Sequence, residues 1–261
     1  MGSLPSLVVV YLFLTLFDGI FCFLLGSFDI PNLKAVLELL FLSLVGAISI
    51  FFLFESFKKL PVGVAITLAN FSPIFLTVLV FLSKGTFPKP TKLVLIVFLI
   101  LTLPLFFERE DRKAEKRYVF YPLITAFGWG VFGLEVFRLV NDYKLSPFAV
   151  AFYSSLFMWF IFLITCFWRY DFRKLLREFF KPPILKWSFL SGIYTSLGFI
   201  SSVFAFKGIS PKEAPVIEAI FTFTTPLGTL SSYLLLGERL TKRQGIAVLI
   251  SFLILILFFL V

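Results

Sequence analysis

The chain has no histidine among its 261 residues and only two cysteines, Cys22 and Cys166. Without imidazole it lacks the commonest general base at neutral pH and the commonest transition-metal ligand. Both cysteines lie inside apolar runs, where a thiol packs as a small hydrophobe, so no disulfide framework is expected. Charge is scarce as well, at 15 % of residues, against about a quarter in an ordinary soluble domain. No nucleotide-binding loop, metal-ligand cluster or nucleophile–base pair can be assembled from what remains. No metal and no cofactor are expected, and the chain does not read as an enzyme. A membrane-embedded transferase working through carboxylates would want several acids on one face, and here they are scattered.

What fills the space is hydrocarbon. The sequence is 59 % hydrophobic and 20 % aromatic, with 39 Phe. Stretches such as 93–107 and 246–261 contain no charged residue. A helix needs about 20 apolar residues to cross the bilayer core. The sequence supplies nine such segments: 5–25, 35–54, 62–82, 92–107, 118–137, 147–168, 187–206, 214–236 and 244–261. The first is too long and too poor in N-terminal charge for a cleaved signal. An all-α polytopic membrane protein follows, with little outside the bilayer.

The chain also echoes itself. Sliding it by 142 residues brings Pro5 onto Pro147 and Tyr11 onto Tyr153, and Asp29 onto Asp171. A slide of 149 lays the small residues Ser43, Gly46, Ala47 and Ser49 over Gly192, Thr195, Ser196 and Gly198, and Lys58 over Lys207. A slide of 153 superposes Pro73 and Pro226. Internal repeats of hydrophobic segments mark secondary transporters. The charged stretch 108–117 divides the copies into a four-helix repeat, 1–107, and a five-helix repeat, 118–261. A second charged stretch, 169–186, interleaves basic and apolar residues as an amphipathic surface helix would. If the segments alternate, 16 of the 24 Lys and Arg fall on the side of the N-terminus. The excess of basic residues then places the N-terminus in the cytoplasm and the C-terminus outside. The net charge of +9 sits at membrane edges, so nucleic acid is not an expected partner.

Three stretches carry a family likeness. Gly237-Glu238-Arg239-Leu240-Thr241-Lys242-Arg243-Gln244-Gly245 lies between two apolar segments, Pro226 stands mid-segment ahead of it, and Ala126-Phe127-Gly128-Trp129-Gly130 opens the second copy. The first copy repeats the order more loosely, with Phe57-Lys58-Lys59-Leu60-Pro61, Pro73 and Lys84-Gly85-Thr86. In order and spacing the chain resembles the EamA-type carriers of the drug/metabolite transporter superfamily. The resemblance implies ten helices in two inverted five-helix repeats around a central cavity, working by alternating access. Here the first helix has no counterpart: either the gene start is truncated or the chain is a nine-helix member arranged 4+5, and the charge count favours the second. Small multidrug-resistance relatives rely on a membrane-embedded Glu in the first helix of the repeat, whereas 126–129 holds no acid. The implied function is movement of a small metabolite, an amino acid or similar solute, across the cytoplasmic (inner) membrane by a monomer or homodimer. A flippase for lipids or lipid-linked groups and a non-transporting membrane subunit are the alternatives.

Particular residues stand out on energetic grounds. A carboxylate at mid-bilayer costs about 2.5–3.5 kcal/mol on insertion scales. Asp18 is the deepest, and Glu218 lies one turn into the Pro226 segment. Either could be a proton-coupling group facing a cavity; Asp18 could equally be a structural partner for a neighbouring helix, and Glu218 a headgroup-level residue. Glu135 and Arg138 are spaced to pair on one helix face, and Glu38 and Glu55 are expected to be solvated. Proline frees a backbone carbonyl one turn back. Pro73 and Pro226, preceded by Asn70 and Thr222, therefore point to the binding cavity, with Trp129, Tyr153 and Tyr11 as aromatic lining. The small-residue stripes are expected to let helices approach closely rather than to bind anything.

Overall fold

In the computed structural model the described residues are 3–25, 28, 31–60, 62–106, 116–170, 181–236 and 241–260, and among them there is helix and no strand. The motifs at 108–115 and 237–240 and the basic stretch 171–180 lie outside the described residues. The helices are α1 (Ser3–Leu24), α2 (Leu33–Ser56), α3 (Val62–Ala69), α4 (Ser72–Lys84), α5 (Pro90–Thr102), α6 (Lys116–Asn141), α7 (Pro147–Arg169), α8 (Pro182–Phe206), α9 (Ala214–Phe221), α10 (Thr224–Leu236) and α11 (Lys242–Leu260). Seven described stretches are long and apolar enough to cross a membrane. The segment expected at 92–107 is shorter, an α-helix finished by a 3-10 turn over Leu103–Phe106.

Proline sets several starts. Pro90, Pro147 and Pro182 each stand at a first helical position, where a missing N–H costs nothing and the fixed φ suits the helix. Ser146 completes the start of α7 by accepting the Ala149 N–H at 3.1 Å. Gly85 closes α4 with φ +65°, its N–H donating to the Phe81 carbonyl. Pro73 and Pro226 do more than kink: the segments expected at 62–82 and 214–236 are each broken into two helices, α3/α4 and α9/α10.

The described chain forms two compact units, and each draws on both sides of the 108–117 stretch. The first comprises Met1–Phe51 with Glu135–Ile209. In it α1 packs against both α7 and α8. Tyr11 meets Phe162 edge-on, with ring centroids 5.0 Å apart, while Gly19 lies against Phe152, so α1 and α7 run antiparallel. Gly192 sits on Phe13 and Leu14, and Ser196 on Asp18, so α1 and α8 run in the same direction. The Ser43 hydroxyl of α2 donates to the Ser154 carbonyl of α7 at 3.1 Å. The closely packed small residues are thus at work as expected, since helices in lipid associate by contact rather than by expelling water.

The second unit comprises Phe52–Leu134 with Ser210–Val261. There α4 packs on α9, and α5 on α11. Its core joins Ile96, Leu99 and Leu103 to Val216, Ala219 and Phe223 and to Ile254 and Phe258. A second cluster of Leu53, Leu60, Ala65 and Ala69 takes Trp129 against it. Gly130 rests on Phe75 and Leu76, where a methyl group would meet Phe75 Cβ at 2.9 Å.

Candidate functional site

Pro226 cannot donate to the carbonyl of Thr222, one turn back. That carbonyl is taken instead by the Thr225 N–H at 3.1 Å and, at a long 3.5 Å, by the side-chain amide of Asn70. The same amide donates to Thr225 Oγ1 at 2.6 Å. Asn70 sits in the break between α3 and α4, so each broken helix meets the other at its gap. Two residues on, Ser72 Oγ donates to Glu218 Oε1 at 2.6 Å. Asn70, Ser72, Glu218, Thr222 and Thr225 are all buried. Polar groups and irregular backbone at membrane depth persist only where protein, water or a ligand satisfies them. The five residues make a polar cluster inside the second unit.

Of the expected site residues, Asn70, Thr222 and Glu218 come together here with Pro73 and Pro226, both buried at their helix starts. Trp129 belongs to the same unit, half-buried beside Ala65 and Ala69. Tyr11 and Tyr153 belong to the other unit: Tyr11 is buried against Phe162, and Tyr153 is half-buried beside Phe152. Asp18 is there too, fully enclosed, accepting the Ser196 hydroxyl at 2.6 Å with Ser155 also beside it. Ser72 carried no signal in the sequence and Ser196 only that of a small-residue stripe, since a serine in an apolar helix shows its value only through its partner on another helix.

The ion pair expected between Glu135 and Arg138 forms, at 2.7 Å. Glu38, expected to be solvated, keeps as much side-chain exposure as Glu55 (23 % against 24 %) and is ion-paired as well. Arg138 Nη2 also reaches Glu38 Oε1 at 2.9 Å, and the Tyr143 hydroxyl donates to that oxygen at 3.2 Å. One guanidinium, with five donors in a fixed fork, can serve both carboxylates, which draws the Glu38 side chain into a partly buried network. Glu55 pairs with Lys58 at the surface. A cavity of about 550 Å³ runs along α1 and α7, lined by Leu12, Leu16, Ile20, Leu156 and Trp159 among others. None of the expected binding residues lines it.

Comparison with known proteins places this geometry in context. Residues 116–260 match the EamA-like transporter family. A solved crystal structure of another protein is similar, with a TM-score of 0.72 over 98 % of this chain and 88 % of that one. Its sequence identity is 12 %, so the likeness is one of fold. No curated protein matches the chain.

Proposed function

Since the chain belongs to the EamA-like transporter family, we propose that it is a secondary transporter that moves a small metabolite across the cytoplasmic membrane by alternating access. The observation that carries this reading is the crossing of two broken helices, α3/α4 and α9/α10, whose gaps present Asn70, Ser72, Glu218, Thr222 and Thr225 to one another. Discontinuous helices near the bilayer midplane are how carriers expose backbone dipoles to a solute. A solute bearing an amide, hydroxyl or amino group can exchange for these internal bonds one by one. Trp129 supplies an aromatic face in the same unit. Glu218 and Asp18, neither ion-paired among the described residues, are the coupling groups.

An inverted 4+5 repeat accounts for the symmetry of the contacts. Helices α1 and α7 are superposed by the 142-residue slide and run antiparallel. The two Pro-broken segments, superposed by a slide of 153, face each other in reverse order: Asn70 meets Thr225, and Ser72 meets Glu218. Thr102 and Ser251, equivalent under the slide of 149, lie hydroxyl to hydroxyl at 3.4 Å, as residues beside a two-fold axis do. The apolar cavity along α1 and α7 favours, as a second reading, a flippase that takes lipid-like cargo from the bilayer.

A thermal-stability screen of the detergent-solubilised protein against a library of amino acids and other small solutes tests the proposal. A binder should raise the unfolding temperature of the wild type and fail to do so for Asn70→Ala. A binder whose effect survives Asn70→Ala and Glu218→Gln alike would move the site elsewhere, and stabilisation by lipid-linked compounds alone would favour the second reading.

A further inference from the structure

We infer that Asp18, Thr15, Ser155 and Ser196 form a binding site for a monovalent hard cation, sodium, between α1, α7 and α8 of the first unit. The inference deepens the transport reading by naming a coupling ion, yet the binding itself is independent of any solute. Asp18 has no exposed surface, and Thr15 is 7 % exposed. The carboxylate's Oδ1 takes the Ser196 hydroxyl at 2.6 Å, while its Oδ2 has no hydrogen-bond partner. Thr15 Oγ1, one turn back on the same helix, has none either. Ser155 lies beside the carboxylate from α7, its hydroxyl also donating to the Phe152 carbonyl at 3.0 Å. Two orphaned oxygens one turn apart on α1, flanked by hydroxyls from two other helices, gather hard donors at one level of the first unit.

A proton serves this set poorly. On Oδ2 it would make a single O–H donor, which can serve at most one neighbouring oxygen and leaves the lone pairs of the remaining hydroxyls unused. A cation accepts electron pairs from both oxygens at once. Ser196 can go on donating to Oδ1 while its own lone pair turns to the ion. The charge count selects among cations. One carboxylate neutralises one positive charge, whereas a divalent ion would remain charged in an apolar helix bundle, and calcium sites gather several charged oxygens. No Lys or Arg is ion-paired with Asp18 among the described residues, and Tyr11, on the same helix, lies within its electrostatic reach. A guanidinium or ammonium therefore does not already fill the role.

Binding of ²²Na⁺ to the purified protein in lipid nanodiscs, without any solute, tests the site. The expected result is saturable binding displaced by Na⁺ or Li⁺ and not by K⁺. Asp18→Asn should lose it, and the near-isosteric Thr15→Val should weaken it at least tenfold. If Asp18→Asn fails to fold, Thr15→Val and Ser196→Ala, each removing a single hydroxyl, give the same reading by graded weakening. Ser83→Ala, on the exposed end of α4 in the other unit, should bind sodium as the wild type does, and because no solute is present, failure of the solute site and failure of this one are separable. No saturable binding, or binding untouched by these α1 and α8 variants, overturns the inference. So does a pH-dependent but sodium-independent stability that disappears in Asp18→Asn, which would assign the site to a proton.

Discussion

Replacing Gly192 by alanine tests the packing around Asp18 most sharply, because Gly198 on the same helix is an internal control. A Cβ at Gly192 would stand 2.5 Å from Phe13 Cβ, 3.1 Å from the Phe13 carbonyl carbon and 3.2 Å from the Leu14 nitrogen. Two of these three atoms are backbone and cannot swing aside. Helix α8 must therefore retreat from α1 by roughly 1 Å, a gap that forfeits about a quarter to a half of the dispersion energy along the seam. At Gly198 the added methyl meets nothing within 4 Å. Both substitutions gain the same helix propensity, about 1 kcal/mol, so that contribution cancels in their difference. What remains is the steric cost, about 1–3 kcal/mol for an overpacked contact. For a chain of this size that is a gap of roughly 2–12 °C between the two variants' unfolding temperatures. Thermal unfolding followed by fluorescence-detected size exclusion in one detergent reads it directly. Equal unfolding temperatures for Gly192→Ala and Gly198→Ala would refute the close α1–α8 approach, and with it the contact between Ser196 and Asp18.

Three further outcomes follow from the same contacts. Arg138→Met leaves Glu135 and Glu38 without their shared cation; because the site is partly exposed, the loss should fall below the roughly 3–5 kcal/mol of a fully buried pair, and adding Glu38→Gln and Glu135→Gln should restore part of it in the same thermal assay. Ser210 donates its hydroxyl and its N–H to Glu213 at 2.7 and 2.9 Å, and these bonds hold the Glu213 carboxyl below the usual glutamate range. The stability they add is present above the ordinary glutamate range and lost as pH falls through the lowered value. Ser210→Ala should therefore unfold earlier than wild type at neutral pH and converge with it in acid, as a pH series of melting curves would show. Ser72→Ala removes a hydroxyl donated to Glu218 and should cost about 1–3 kcal/mol, while Ser83→Ala, at an exposed residue whose hydroxyl makes only a 3.4 Å bond to Val80, should be near neutral.

Much of the helical layout was legible because lipid imposes it. Runs long enough to cross a bilayer are visible as runs, and Pro147 marks the expected start of one, whereas Pro90 and Pro182 begin their helices ahead of the expected 92 and 187. The prolines at 73 and 226 likewise pointed to the two broken helices, and Asn70, Thr222 and Glu218 were readable as polar groups that needed a reason. The partners were not readable. In water a helix shows its buried face by hydrophobic periodicity, but in lipid the outer face is as apolar as the core. Exposed Leu12, Leu16 and Ile20 and buried Leu7 and Leu14 on α1 look alike in sequence. Ser72 and Ser196 were therefore indistinguishable from serines that bond back to their own helix, as Ser201 does to Leu197. The partner of Glu38 was hidden for a related reason: proximity to a helix end says nothing of an arginine 100 residues away that folds against it.

The most direct test of the central claim is counterflow into proteoliposomes. Vesicles loaded with an unlabelled metabolite extract are placed in the isotope-labelled extract, and the labelled solutes that enter are identified by mass spectrometry. The account predicts that one solute, or a few of related chemistry, accumulates with the wild-type protein. It also predicts that Asn70→Ala and Glu218→Gln, reconstituted in equal amounts and folded as judged by size exclusion, lose that accumulation. Wild-type vesicles indistinguishable from protein-free ones, or variants that accumulate the same solutes at the wild-type rate, would contradict it.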